Sequence, residues 1–295
     1  MLIRSFVVSA SLIAALFTAN LVQGQEDLRW KLKTGESLKY IVRQSIQQEM
    51  TIAGNKQSSL MQQTMDMGWD VVDVGSTGDA TVKQSMRRIQ MKMNAGAVAV
   101  EFDTSSTQVP DSPTARIMAD VFRKIIDAEF VVTMRPSGEI KNVEVPKGLL
   151  ESITSGLGPN PLFTEDTLRQ TMQKTTVTLP EKTIKAGESW DSSHSMDMPL
   201  GSMKIDAKLT YEGKDPKTGL ARISVVPTVS FSPKENSPAQ IEVMKSEGKG
   251  QVLFDSVQGR IIQSDLNLTL ELRISQAGQV VNQTVVQTTN MNLEK

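Results

Sequence analysis

Residues 260–274 read RIIQSDLNLTLELRI, and this run restricts the fold more than any other. Ile262, Leu266, Leu268, Leu270, Leu272 and Ile274 alternate with polar residues, Ser264 being the one polar residue in the series. Period two places them on one side of a pleated strand, because successive side chains point to opposite faces. Fifteen residues at about 3.3 Å each span roughly 50 Å. A strand with one oily and one polar face belongs to an antiparallel sheet, and a strand this long coils. VVNQTVVQTTNMNL at 280–293 follows a turn at Gln276-Ala277-Gly278 and supplies a partner. KIDAKLTYE at 204–212 sets Ile205, Ala207, Leu209 and Tyr211 opposite Lys204, Asp206, Lys208 and Glu212. The predicted fold is mainly β (α+β), a long curved antiparallel sheet or half-barrel.

Three segments recur in the same order. KTGESLKY at 33–40 resembles KAGESWDS at 185–192, WDVVDVGSTGDATVKQ at 69–84 resembles AKLTYEGKDPKTGLARIS at 207–224, and FVVTMRPSGEIKNVEV at 130–145 resembles QVLFDSVQGRIIQSDL at 251–266. The shared residues are glycines closing turns and apolar residues opening strands, which hairpin chemistry alone also favours. Their common order predicts two similar β-modules, residues 25–145 and 185–295. Within each Gly-Glu-Ser triplet, Glu36 and Glu188 are expected to satisfy turn backbone, not to catalyse. DPKTG at 215–219 lacks the ligand spacing of a calcium loop and is expected to be a hairpin turn.

A helical segment interrupts the pattern. Ser112-Pro113-Thr114 before ARIMADVFRKIID gives an N-cap, a proline at N1 and an amphipathic helix near 113–127. Ile117, Val121 and Ile125 share one expected face, with Met118 and Phe122 beside them. Residues 146–184 form an expected helical connector. It holds a short helix at 146–156 and a second, TEDTLRQTMQKT, with acids in its first turn.

The methionines pose the sharpest functional question. The chain has 16, and MQQTMDMGWDVVDVG at 61–75 sets Met61, Met65, Met67 and Trp69 on one strand face, with Met91 and Met93 repeating the spacing on the next. Three readings compete: a packed core filled by adaptable thioethers, a Cu(I) trap, and the lining of an apolar cavity. Nothing nearby supplies cysteine, so no metal ligand is assigned. The low aromatic content, 4%, favours an aliphatic guest over a stacked ring. Met61, Met65, Met67, Trp69, Met91 and Met93 are the candidate ligand-lining residues.

Composition removes several function classes. With no cysteine and a single histidine, His194, zinc motifs are excluded and no disulfide framework exists. No nucleophile elbow accompanies His194, so no catalytic residue is assigned and a non-enzymatic role is expected. The formal charge is −1, and loss of Arg4 with residues 1–24 would make it −2, so no basic field for nucleic acid exists. Residues 1–24 carry Arg4, an apolar run from Phe6 to Leu21 and small residues before Gln25, the pattern of a cleaved signal peptide. Export to the periplasm or beyond is expected, with no stable membrane span afterwards. No cofactor is expected.

LRWKLKTGESLKY, VVDVGSTGDATV, FRKIIDAEFVVTMRPSGEIKNVE and LPEKTIKAGESW together resemble an uncharacterised secreted family of unknown function from planctomycete-type bacteria. The resemblance covers most of residues 27–293 and implies a fold more than an activity. A looser likeness, of architecture only, is to envelope lipoprotein carriers that close a curved half-barrel with helices. The expected function is an extracytoplasmic binding protein for an apolar or lipid-like ligand; the alternative is a structural or protein-interaction module of the cell envelope.

Overall fold

The computed structural model describes residues 25–294, apart from 97, 153–168, 170, 171, 173–177, 199, 236, 238 and 277. The expected signal peptide, the helix over 164–175 apart from the helical Arg169 and Met172, and the end of the helix over 146–156 therefore lie outside the described residues, although 149–152 form a helical turn.

Among the described residues twelve strands make one antiparallel sheet. In chain order they are β1 (Ser37–Ile52), β2 (Asn55–Val74), β3 (Ala80–Ala95), β4 (Val98–Asp103), then helix α1 (Pro113–Ile125), β5 (Phe130–Met134), β6 (Ile140–Glu144), β7 (Ser189–Met198), β8 (Gly201–Lys214), β9 (Ala221–Pro233), β10 (Ala239–Asp255), β11 (Arg260–Gln276) and β12 (Gln279–Leu293). Their spatial order is β6-β5-β3-β2-β1-β12-β11-β10-β9-β8-β7. β3 shares its outer edge: Ala80–Gln84 pair with β5 and Gln90–Ala95 with β4. The last strand pairs with the first, Tyr40 opposite Leu293, so strands from both halves of the chain share a single sheet.

The sheet is open, because β6 and β7 stand at opposite ends of the order. Its flanks are nonetheless drawn together at one end by residues 26–32. Trp30 N donates to Pro136 O in the β5–β6 turn at 2.8 Å, and Lys31 N donates to Gly259 O in the β10–β11 turn at 3.0 Å. In a flat sheet β5 and β11 would lie about 24 Å apart, five strand spacings. Bonding to adjacent residues holds the two turns within about 10 Å. The face that carries Tyr40 and Met67 is thus the inner face.

The two Gly-Glu-Ser turns are built alike. Gly35 N donates to Val71 O and Val71 N to Glu36 O; Gly187 N donates to Tyr211 O and Tyr211 N to Glu188 O. Glu36 Oε2 accepts from Lys33 N at 3.3 Å, and Glu188 Oε2 from Lys185 N at 2.8 Å. The carboxylates therefore serve turn backbone, as their sequence context implies. Asp215 likewise accepts from Lys217 N and from Thr218 N and Oγ1, which makes DPKTG a hairpin turn. These bonds, with Thr218 foremost, lower the Asp215 carboxyl below its ordinary pKa.

α1 begins as expected: Ser112 Oγ accepts from Ala115 N at 3.0 Å, with proline in the first turn. Its buried face is not the expected one. Ala115 and Ala119 are buried with Met118 and Phe122 against β2–β4, while Ile117 is 51% exposed. Two alanines allow the helix to approach the sheet closely, which turns Ile117 outward. Val121 and Ile125 pack instead with Leu149.

Candidate functional site

The inner face is assembled from the ladder registers. One cross-strand row runs Met91–Gln63–Gln44–Thr289–Leu266–Gly250–Val225–Leu209–Trp190 across nine strands. Rows two residues away along each strand share this face. Following them through the ladders gives a single charged residue at an inner-face position from β1 to β12, Lys214, which shares the Ala221–Phe254–Ile261 row at the closed end and pairs with Glu26 at 3.3 Å. His194, on the outermost strand β7, also lies on an inner-face row, and its Nε2 lies 3.0 Å from Ser192 Oγ. The other charges of the strands sit on the opposite, outer face. Lys204–Asp206 and Lys245–Glu271 are ion pairs on that side.

This sorting follows from the period-two sequence, but different elements cover different parts of the face. At the closed end Leu28, Trp30 and Leu32 pack with Leu38, Tyr40, Val71, Val132, Leu209, Ile223, Phe254 and Ile261. Trp30 stands 5.5 Å from Trp69 and 6.1 Å from Phe254, ring centre to ring centre. The Tyr40 hydroxyl donates to Ile261 O at 3.1 Å, and burial raises its pKa well above the ordinary tyrosine value. Burial and the neighbouring Glu26 carboxylate raise Tyr211 as well. Arg260 pairs with Glu36 at 2.6 Å where their side chains are only 10% and 19% exposed.

The second covered part lies beneath α1. Met91, Ile89, Val100 and Phe102 are buried there, and Met61, Met65, Met86 and Met93 pack around them half-buried. The six candidate lining residues are therefore divided. Met61, Met65, Met91 and Met93 sit under the helix, whereas Met67 and Trp69 belong to the closed-end core. The structure does not gather them around one hollow. Among the described residues no group of three His, Cys, Asp or Glu side chains converges as a metal site would require.

A third part has no such cover among the described residues. Leu266, Leu268, Leu270, Leu272 and Ile274 form a column along β11, all half-buried and none within the buried clusters. On one side stand Gly250, Gly248, Ser246 and Val243 of β10. Small residues there leave the Leu column standing above its neighbour. Gly248 also accommodates Pro227, since an added Cβ would lie 2.3 Å from the Pro227 ring. On the other side stand Thr289, Gln287, Val285, Gln283 and Val281 of β12, then Gln44, Ile46, Gln48, Met50 and Ile52 of β1. Ile46 is the cross-strand partner of Met61, so the open part adjoins the methionine patch. The column was visible in the sequence as one strand face. What the sequence lacked was the position of α1 and of residues 26–32, which cover the other two parts of this face.

The outer face also carries a shallow hollow of about 480 Å³ lined by Arg43, Gln62, Gln90, Lys92, Asp265 and Asn290. Its groups are largely engaged with each other: Asp265 accepts from Gln263 Nε2 at 2.6 Å and from Asn290 Nδ2. Among the described residues no helix is long and apolar enough to cross a membrane.

Comparison with known proteins adds the family. No curated protein matches the sequence. Among solved structures, a chain described under lipid–protein interactions in lipovitellin aligns with 89% of this chain and 25% of its own, at 7% identity and a TM-score of 0.49. This chain thus spans a quarter of that one. An outer membrane channel from Pseudomonas putida F1 aligns over 91% and 98% of the two chains, at 7% identity and a TM-score of 0.24. DynF, from the dynemicin biosynthesis pathway of Micromonospora chersina, aligns over 90% and 83%, at 7% identity and 0.24. All three fall below a TM-score of 0.5 and carry no argument about what this chain does. The sequence itself is decisive: residues 77–261, more than half of the chain, match the Family of unknown function (DUF6263), and the chain belongs to that family.

Proposed function

We propose that this protein is an extracytoplasmic, non-enzymatic carrier that holds an apolar or lipid-like guest against the inner face of a half-barrel made from two related β-modules. The observation that carries the reading is the Leu column, Leu266 to Ile274, which lies outside the buried clusters on a part of the inner face free of charge. An oily surface of that extent, rimmed by polar side chains, is stabilised by something that covers it. Transmembrane barrels put their apolar band outward and their polar side inward. Here the charges face outward and the oily residues inward, the arrangement of a container. The matched turns before β1 and β7 support the two-module reading, as does the strand order, which runs through each module consecutively.

Native mass spectrometry of the mature protein, purified from its own envelope, tests the reading. A bound apolar molecule is expected, and neutral and anionic acyl probes should be offered to the stripped protein as well. Placing aspartate at both Leu268 and Leu270 should abolish retention, because the carboxylates would lose hydration against the guest. Val226→Asp, on the outer face at a residue 53% exposed, should not. An empty protein that also ignores every acyl probe removes the proposal.

A further inference from the structure

We infer that the guest is an uncharged amphiphile, an apolar body bearing ester, amide or hydroxyl groups, and not a fatty-acid anion or other ionic lipid. The inference rests on the carrier reading and narrows it to a chemical class.

Charge sorting carries the argument. An ion moved from water to an apolar surface loses hydration that only a counter-charge or several hydrogen bonds can replace. Proteins that hold lipid anions must therefore supply a cation or a set of convergent donors. Every Lys and Arg in the strands but one lies on the outer face, as the ladders place Arg43, Lys92, Lys249 and Arg273; the exception, Lys214, lies at the closed end of β8 and is paired with Glu26 at 3.3 Å. The most buried cation, Arg260, is held at the closed end by Glu36 and is neutralised there. His194 sits on β7, four strands from the Leu column on β11. An anionic head group lying along β11 would meet no partner of opposite sign.

Neutral hydrogen-bonding groups are present instead, beside the column. Thr289 is the cross-strand partner of Leu266 and of Gln44, and Gln44 is the partner of Gln63. Gln287 faces Leu268 and Ile46. Gln63 Nε2 donates to Gln44 Oε1, and Gln287 Nε2 donates to Thr289 Oγ1 at 3.2 Å. Each amide offers two donors and two acceptor lone pairs. One mutual bond leaves capacity for an ester carbonyl or hydroxyl on both pairs. Amides give no preference for either sign of charge, so this belt selects for polarity without charge.

The test compares three probes on the full mature chain stripped of endogenous ligand: oleate, methyl oleate and monooleoylglycerol, by native mass spectrometry and competition titration near pH 8. The two neutral probes should bind, with oleate at least tenfold weaker. Oleate should approach its ester as pH is lowered through the carboxylate range to about 4. Gln287→Lys should raise oleate affinity about tenfold or more over the unmodified protein while leaving the methyl ester within a few-fold. Oleate binding as tightly as methyl oleate near pH 8 overturns the inference and leaves the carrier reading standing. If none of the three binds, both fall.

Discussion

An ideal Cβ on Gly259 would lie 2.3 Å from the backbone nitrogen of Lys31, and its φ of +65° is one that side chains disfavour. The atom it would strike belongs to the peptide whose N–H bonds Gly259 O, so the neighbour cannot move without breaking that bond. Gly35 has a similar φ of +81° but nothing within 4 Å. The pair separates two costs. Gly35→Ala should cost about 1–2 kcal/mol, the strain of a left-handed backbone alone. Gly259→Ala adds a steric clash of about 1–3 kcal/mol. Urea denaturation of the two variants should show Gly259→Ala losing roughly twice as much. Equal losses would mean that residues 26–32 yield freely and do not tie the sheet flanks together.

The elements were legible in unequal measure, and their joints explain why. Residue 113 as helix start, the β11 Leu face and the turn at 215–219 rest on local chemistry: a cap, a period and a set of Asx bonds. Which element covers which face rests on contacts between distant residues, so the methionine strand could be read as core or as lining. β4 illustrates such a joint. Arg88 of β3 forks onto Asp103 at the end of β4, with Nε to Oδ1 at 3.0 Å and Nη2 to Oδ2 as the second bond. The guanidinium, helped by Ser105, holds the Asp103 carboxyl below its ordinary pKa. A carboxyl depressed in the fold binds fewer protons there than in the unfolded chain. Its contribution is therefore present above about pH 4 and is lost as pH falls below that value. Asp103→Asn should lower the melting temperature near pH 7 and converge with the unmodified protein as pH falls toward 2. The Arg88 side chain is 38% exposed, so added salt should narrow the gap near pH 7. A gap that does not change with pH would assign the effect to packing instead of charge.

For the whole molecule, the decisive contact is the one that draws the flanks of the sheet together at one end. Trp30 is 4% exposed and touches Trp69 of β2 and Phe254 of β10, strands four places apart in the sheet. Its indole N–H is buried and has no hydrogen-bond partner among the described residues, so its contribution is packing, reduced by an unmet donor. Trp30→Ala should therefore cost about 3–5 kcal/mol. Trp30→Phe, which keeps a ring and removes the unmet N–H, should cost less than about 1.5 kcal/mol. The spatial signature discriminates more sharply than the total. If Trp30 couples the flanks, hydrogen exchange in Trp30→Ala should rise together at Gly138 N of the β5–β6 turn and Gly259 N of the β10–β11 turn, both protected by turn bonds in the intact fold. The β1–β12 ladder between them, thirteen residue pairs long, should stay protected. Loss of protection at one turn only would show that the flanks fold independently. The inner face would then be an open sheet surface, and a guest held against β11 would have no opposing wall at the closed end.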